Sequence, residues 1–129
     1  MSDELSKLPP AVQERLLRLQ QLQQSLQATM MQKQQTELEL NENDTALEEV
    51  QKISEDTPMY KSIGSLLIKT EKTKITSELT ERKELLNTRI SVLTKQEERL
   101  RAQMKDLQAK LQQDLNPASP PPSEFTPPP

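Results

Sequence analysis

A chain of 129 residues with 29% charged and 2% aromatic residues fits one domain but cannot build a layered globular core, because large apolar side chains supply most of the area such a core buries. It has no Cys and no His, which removes disulfides, thiolate metal sites, a nucleophilic cysteine and the usual general base. The net charge of −3 weighs against nucleic acid as the main partner.

The opening MSDELSKLPP lacks the apolar stretch of a secretory signal, and no run is long enough to span a bilayer, so a cytoplasmic location and no membrane partner are expected. Residues 1–9 read as a short arm. Pro9 and Pro10 suit a first helical turn, where a missing N–H costs nothing. From there a helix is expected over 10–54, with a seam at alternating spacings of four and three: Val12, Leu16, Leu19, Gln23, Leu26, Met30, Lys33, Glu37, Leu40, Asp44, Leu47 and Gln51. Asp56, Thr57 and Pro58 cannot continue it comfortably. The nine glutamines between Gln13 and Gln35 fit a solvated helix face better than a prion-like tract, since Gln is a fair helix former.

The pattern then changes. MYKSIGSLLIKTEK (59–72) carries Tyr60, Ile63, Leu66, Leu67 and Ile68 around the chain's single glycine, Gly64. Glycine supplies the positive φ of a tight hairpin turn, so strands are expected at 59–63 and 66–70 within a hairpin element of 58–71. An irregular loop joining two helices is the alternative. Thr73 is a plausible N-cap for a second helix over 73–115. Its seam is Leu79, Lys83, Leu86, Ile90, Leu93, Glu97, Leu100, Met104, Leu107, Leu111 and Asp114, and is more apolar than the first. Pro117 stops it, and the remaining proline-rich tail, 116–129, reads as disordered or polyproline II.

The expected fold class is therefore mainly α: a long antiparallel two-helix coiled coil, each helix about 65 Å long, with one central β-hairpin. Folded about that hairpin, the seams mirror each other and set Leu16 opposite Asp114, Leu26 opposite Met104 and Lys33 opposite Glu97. We expect Lys33 and Glu97 to pair and fix the alignment. A double-mutant cycle of Lys33→Ala and Glu97→Ala measures this, with a coupling of about 0.5–1 kcal/mol expected; independent snorkelling of both side chains to water gives no coupling. Lys83 and Asp44 lack partners in this mirror, so a looser seam is expected there.

No catalytic motif is visible, and the chain does not read as an enzyme or as a cofactor or metal binder. Glu48-Glu49 and Glu97-Glu98 are more simply surface charge, Tyr60 packs at the hairpin, and Lys69, Lys72 and Lys74 make a solvated hairpin edge. Two features suggest function. A lone two-stranded hairpin is marginal in water and has open edges, so it should pair with hairpins of other subunits, closing into a β-barrel platform or sheet. The assembly residues would be Tyr60, Ile63, Gly64, Leu66, Leu67 and Ile68. The free helix ends also carry more leucine than one seam needs: Leu16, Leu17, Leu19, Leu22 and Leu26 on the first helix, Leu107, Leu111 and Leu115 on the second, and Leu5 and Leu8 on the arm. Exposed apolar surface marks a binding site, and several such tips held together would grip a flexible apolar client by avidity. The competing reading buries these leucines in a coiled-coil tether or adaptor that forms a homo-oligomer.

The layout, with the stretches MYKSIGSLLIKTEK, LQQLQQSLQ (19–27), KQQTELEL (33–40), ALEEV (46–50) and KQEERL (95–100), resembles the prefoldin β-type subunits over about residues 8–115. The resemblance implies an ATP-independent holdase: a hexamer of two α-type and four β-type subunits joined through hairpin barrels. In that assembly apolar tips hold unfolded proteins and deliver them to a group II chaperonin. By position, Leu5, Leu8, Val12, Leu16, Leu17, Leu19, Leu107, Leu111 and Leu115 would be the client-binding tips, and residues 59–70 the assembly element.

Overall fold

The structure, a computed structural model, describes residues 7–115; Leu5, the first six residues of the arm and the whole 116–129 tail lie outside the described residues. Four elements follow in order: α1 (Pro10–Lys52), β1 (Met59–Ile63), β2 (Leu66–Thr70) and α2 (Lys72–Leu115). The chain is thus two long helices around a two-stranded antiparallel hairpin.

Pro9 and Pro10 start α1 as their chemistry requires. The Pro9 carbonyl accepts from the N–H groups of Val12 and Gln13 at 3.0 and 3.1 Å, and Pro10, with no N–H to satisfy, takes the first helical position. At the other end the last turn tightens, with the Ile53 N–H bonded to the Val50 carbonyl at 3.2 Å. The Lys72 ammonium then donates to the carbonyls of Gln51 (3.3 Å) and Ile53 (2.8 Å). A cation there satisfies orphaned acceptors and faces the negative end of the helix. Lys72 is therefore a cap for α1, not a solvated hairpin edge.

For α2 the expected cap, Thr73, is corrected. The helix already begins at Lys72, and the Ile75 N–H bonds the carbonyl of Glu71 at 3.0 Å, which makes Glu71 the capping position. The cause lies in the sheet: Thr70 still pairs with Met59, so a single residue separates ladder from helix.

The helices contribute to two compact units, one containing α1 up to Met31 with α2 from Lys95 onward, the other spanning Gln32–Thr94. In the first, Arg15 pairs with Asp114, and Arg101 reaches the Met30 sulfur at 3.5 Å. In the second, the Asn43 amide donates to the Leu79 carbonyl at 2.8 Å. Contacts that climb one helix while descending the other make the helical stretches antiparallel in each unit.

Burial follows the expected seam on α2, where Leu86, Leu93 and Leu111 are buried and Ile90, Leu100, Met104 and Leu107 half-buried. On α1 one expected stripe holds, with Leu26, Lys33, Leu40 and Leu47 half-buried. The other is shifted by one residue: Leu22, Thr29, Thr36, Asn43 and Val50 are buried, while Gln23, Met30, Glu37 and Gln51 are exposed. The buried threonines are satisfied locally, Thr29 donating to the Ser25 carbonyl at 2.9 Å and Thr36 to that of Gln32 at 2.8 Å. Small side chains with a local acceptor can sit in a helix–helix seam at little cost, and that is why a polar stripe takes the inward place.

The mirror register also needs correction near the hairpin. It sets Leu79 opposite Gln51, yet Leu79 receives its hydrogen bond from Asn43. Glu39 faces Arg82 at 3.8 Å, and Lys83 and Asp44, which the mirror leaves unpartnered, pair with each other at 3.2 Å. The mirror assumes equal joints on the two sides of the hairpin. Residues 53–58 separate α1 from β1, whereas Glu71 alone separates β2 from α2, so the base of α1 falls short of the mirrored position.

Candidate assembly and client-binding surfaces

Strand register assigns the hairpin's side chains to faces. Ile63 pairs with Leu66, Ser62 with Leu67, Lys61 with Ile68, Tyr60 with Lys69 and Met59 with Thr70. Directly opposed residues share a face. One face therefore carries Met59, Lys61, Ile63, Leu66, Ile68 and Thr70, and the other Tyr60, Ser62, Leu67 and Lys69. All six residues expected to drive assembly stand in the open, with Leu66 64% and Leu67 73% exposed. Apolar side chains protrude from both faces, and among the described residues the sheet has two strands only, so each strand keeps an unpaired edge.

The turn is Gly64-Ser65. Gly64 has φ +57°, and no other described residue has a positive φ, so positive φ at the first central position alone gives the type II′ pattern that hairpin twist favours. A Cβ on Gly64 would meet no atom within 4 Å. The glycine is required by its backbone angle, not by space. Gly64→Ala should destabilise the hairpin by about 1–2 kcal/mol through strain alone. Hydrogen exchange of the strand amides reads this loss, and unchanged protection would show that the turn tolerates a side chain.

Two contacts tie the hairpin base to the helices, and neither was legible in the sequence. Lys72 caps α1, as described. Lys61 donates to the Glu78 carboxylate on α2 at 2.8 Å, and that hydrogen bond holds the Glu78 carboxyl below its ordinary value of 4.5. A lowered folded-state value means the contribution is fully present above about pH 4.5 and is lost as pH falls through the lower value. The protection of the strand amides, measured against their intrinsic exchange rates at each pH, should therefore fall in acid, and the step should vanish in Glu78→Gln. An identical acid profile in that variant would dissociate the pair from hairpin stability.

The outer helix ends divide in a way periodicity could not show. Val12 and Leu111 are buried, each 5% exposed, as is Leu22. Leu8, Leu16, Leu19, Leu26 and Leu107 are half-buried. Leu17 (56%) and Leu115 (60%) face solvent. Three groups thus emerge from the nine expected tip residues: Val12 and Leu111 form the floor, Leu17 and Leu115 stand proud, and Leu8, Leu16, Leu19 and Leu107 offer partial surface, while Leu5 lies outside the described residues. The Arg15–Asp114 ion pair crosses between the helices beside them. Ala11, Glu14, Arg15, Leu17, Arg18, Gln21 and Leu107 line a shallow groove there.

Among the described residues no group of three or more His, Cys, Asp or Glu could hold a metal ion, and no helix is long and apolar enough to cross a membrane.

The prefoldin subunit family model matches residues 13–118. A prefoldin subunit beta from Archaeoglobus fulgidus is 46% identical over 113 residues, covering 88% of this chain and 97% of that protein. A prefoldin subunit beta from Methanosarcina acetivorans is 44% identical over 112 residues, with 87% and 96% covered. The crystal structure of the prefoldin beta subunit from Thermococcus strain KS-1 superposes with a TM-score of 0.78 at 40% identity, over 86% of this chain and 97% of that one. With the same two helices, the same central hairpin and this identity along nearly the full length of its relatives, the chain belongs to the prefoldin family of chaperone subunits, and within it to the β type.

Proposed function

We propose that this chain is the β-type subunit of a cytoplasmic, ATP-independent holdase. Four copies join two α-type subunits through their hairpins, and the outer helix ends hold unfolded proteins and pass them to a group II chaperonin. One observation carries the assembly half: a two-stranded sheet with open edges and apolar side chains exposed on both faces, which water does not stabilise and neighbouring hairpins would. The client half is supported by Leu17 and Leu115, exposed at the outer ends and flanked by half-buried leucines. Multiple weak apolar contacts of this kind, repeated over several subunits, suit a client with no fixed shape.

Native mass spectrometry of the tagged chain recovered from its own cells tests the assembly. Four copies with two of a second subunit are expected; a dimer or tetramer of this chain alone would sink the proposal in favour of a coiled-coil tether. Removing residues 1–16 and 112–129 should then spare the hexamer and abolish suppression of client aggregation. Truncated hexamers that protect clients as well as intact ones would remove the tips from the function.

A further inference from the structure

We propose that the groove at the base of the hairpin is a second joint of the assembly and takes a lysine side chain from the neighbouring subunit. The inference rests on the assembly half of the reading above and adds a contact that the strand edges do not supply. The groove encloses about 640 Å³ between the later turns of α1, strand β1 and the early turns of α2. Its walls carry four carboxylates, Glu39, Glu42, Glu78 and Glu81, against two cations, Lys61 and Arg82. Both cations are already engaged, Lys61 with Glu78 at 2.8 Å and Arg82 with Glu39 at 3.8 Å. Glu42 and Glu81 have no ion-pair partner among the described residues, so two negative charges stay uncompensated.

Carboxylates on a helix surface are ordinarily satisfied by water and alone call for nothing. A second observation sets this place apart. Asn43 also lines the groove, is 4% exposed, and its amide oxygen has no hydrogen-bond partner among the described residues. The amide nitrogen donates to the Leu79 carbonyl at 2.8 Å, so the group is held and its oxygen cannot turn away to find a donor. A buried acceptor left unpaired costs about 1–3 kcal/mol, and native folds leave few such atoms. An ammonium answers all three demands, bringing one positive charge and three N–H donors to Glu42, Glu81 and the Asn43 oxygen. Leu85, 58% exposed on the same wall, offers apolar surface for the methylene stem. Arg82, loosely held and largely exposed, gives way as the newcomer enters. A metal ion does not fit, because among the described residues no group of three acidic side chains could hold one. The source is a neighbour in the assembly: Lys61 lies on the sheet face of Ile63, Leu66 and Ile68, so a subunit covering those side chains comes up against the mouth of the groove.

Carbodiimide treatment of the intact assembly, purified with its partner subunits, tests this. The reagent activates a carboxyl, and a lysine amine in contact with it then forms an amide, the water lost being taken up by the reagent as a urea. Mass spectrometry of the digest should show Glu42 or Glu81 joined to a lysine of a partner subunit, or of a second copy when isotope-labelled and unlabelled chains are mixed. Replacing both by Glu42→Gln and Glu81→Gln should leave the circular dichroism unchanged, because both side chains are exposed. It should weaken the assembly about tenfold or more, the range for a lost hydrogen bond to a charged group. Links confined to one chain overturn the proposal, as does a double variant that assembles as tightly as the parent. Links that form only when an unfolded client is present would put a client's lysine in the groove and overturn it too. If native mass spectrometry shows the assembly while the links between subunits are missing, the hairpin joint stands and this inference falls. If this chain does not assemble with other subunits at all, the assembly reading has failed and takes this inference with it.

Discussion

Replacing Ile63 and Leu66 together by serine is expected to leave both helices folded and abolish assembly. The two residues are cross-strand partners next to the turn and are exposed in the single chain, so the chain has little burial of its own to lose there. In an assembly that covers the sheet, each side chain contributes about 1.5–3 kcal/mol on burial, and the loss recurs in every copy. A complex held by such surfaces falls apart at micromolar concentration once several kilocalories per subunit are removed. Native mass spectrometry should show separate subunits, with a far-UV circular dichroism spectrum unchanged from the parent. An intact assembly from the variant would show that the hairpin's apolar face is not the joint.

Leu86→Ala should cost about 2–5 kcal/mol, the range for a leucine truncated in a core that relaxes only partly. Leu86 is 2% exposed, the lowest of the buried apolar residues. Its unit has little else to share the loss: Leu93 and Val50 are the other buried apolar side chains between Gln32 and Thr94, and the buried Thr36 and Asn43 are polar. The midpoint of thermal unfolding should fall by ten degrees or more, on the order expected for a small unit. Leu38→Ala, at a residue 52% exposed, serves as the comparison and should change the midpoint by little. Equal effects from the two substitutions would refute the assigned seam.

What could be read from the sequence depended on which residues carried the signal. The α2 seam was legible because leucine, isoleucine and methionine occupy most of it. Half of the α1 seam was not, because Thr29, Thr36 and Asn43 look like surface residues, while Met30 one step along looks like core. Leu22 and Val50, at the two ends of the true stripe, were the available clues. The hairpin was legible from Gly64-Ser65 between apolar strands, since turn chemistry is local. The helix register beside it was not, because no sequence rule says that six residues enter the sheet and one leaves it. Lys61 with Glu78 and Lys72 with the end of α1 are pairings between distant residues, invisible to periodicity. At the tips, leucine spacing predicts helix faces but cannot separate a buried Leu111 from an exposed Leu115 one turn later.

The unequal joints divide the labour between the two helices. The link through Glu71 is a single residue and Lys61 ties β1 to Glu78 on α2, so the sheet is joined more tightly to that helix than to α1. Residues 53–58 are a longer strap, held at Ile53 by the Lys72 ammonium and turned between Ser54 and Thr57. One residue added to the strap can bulge outward and leave the sheet where it is. One residue added beside Glu71 turns α2 by about 100° relative to the strands. Length changes in this lineage should therefore be tolerated on the incoming side of the hairpin and refused on the outgoing side, even though both joints lie at the same end of the helices.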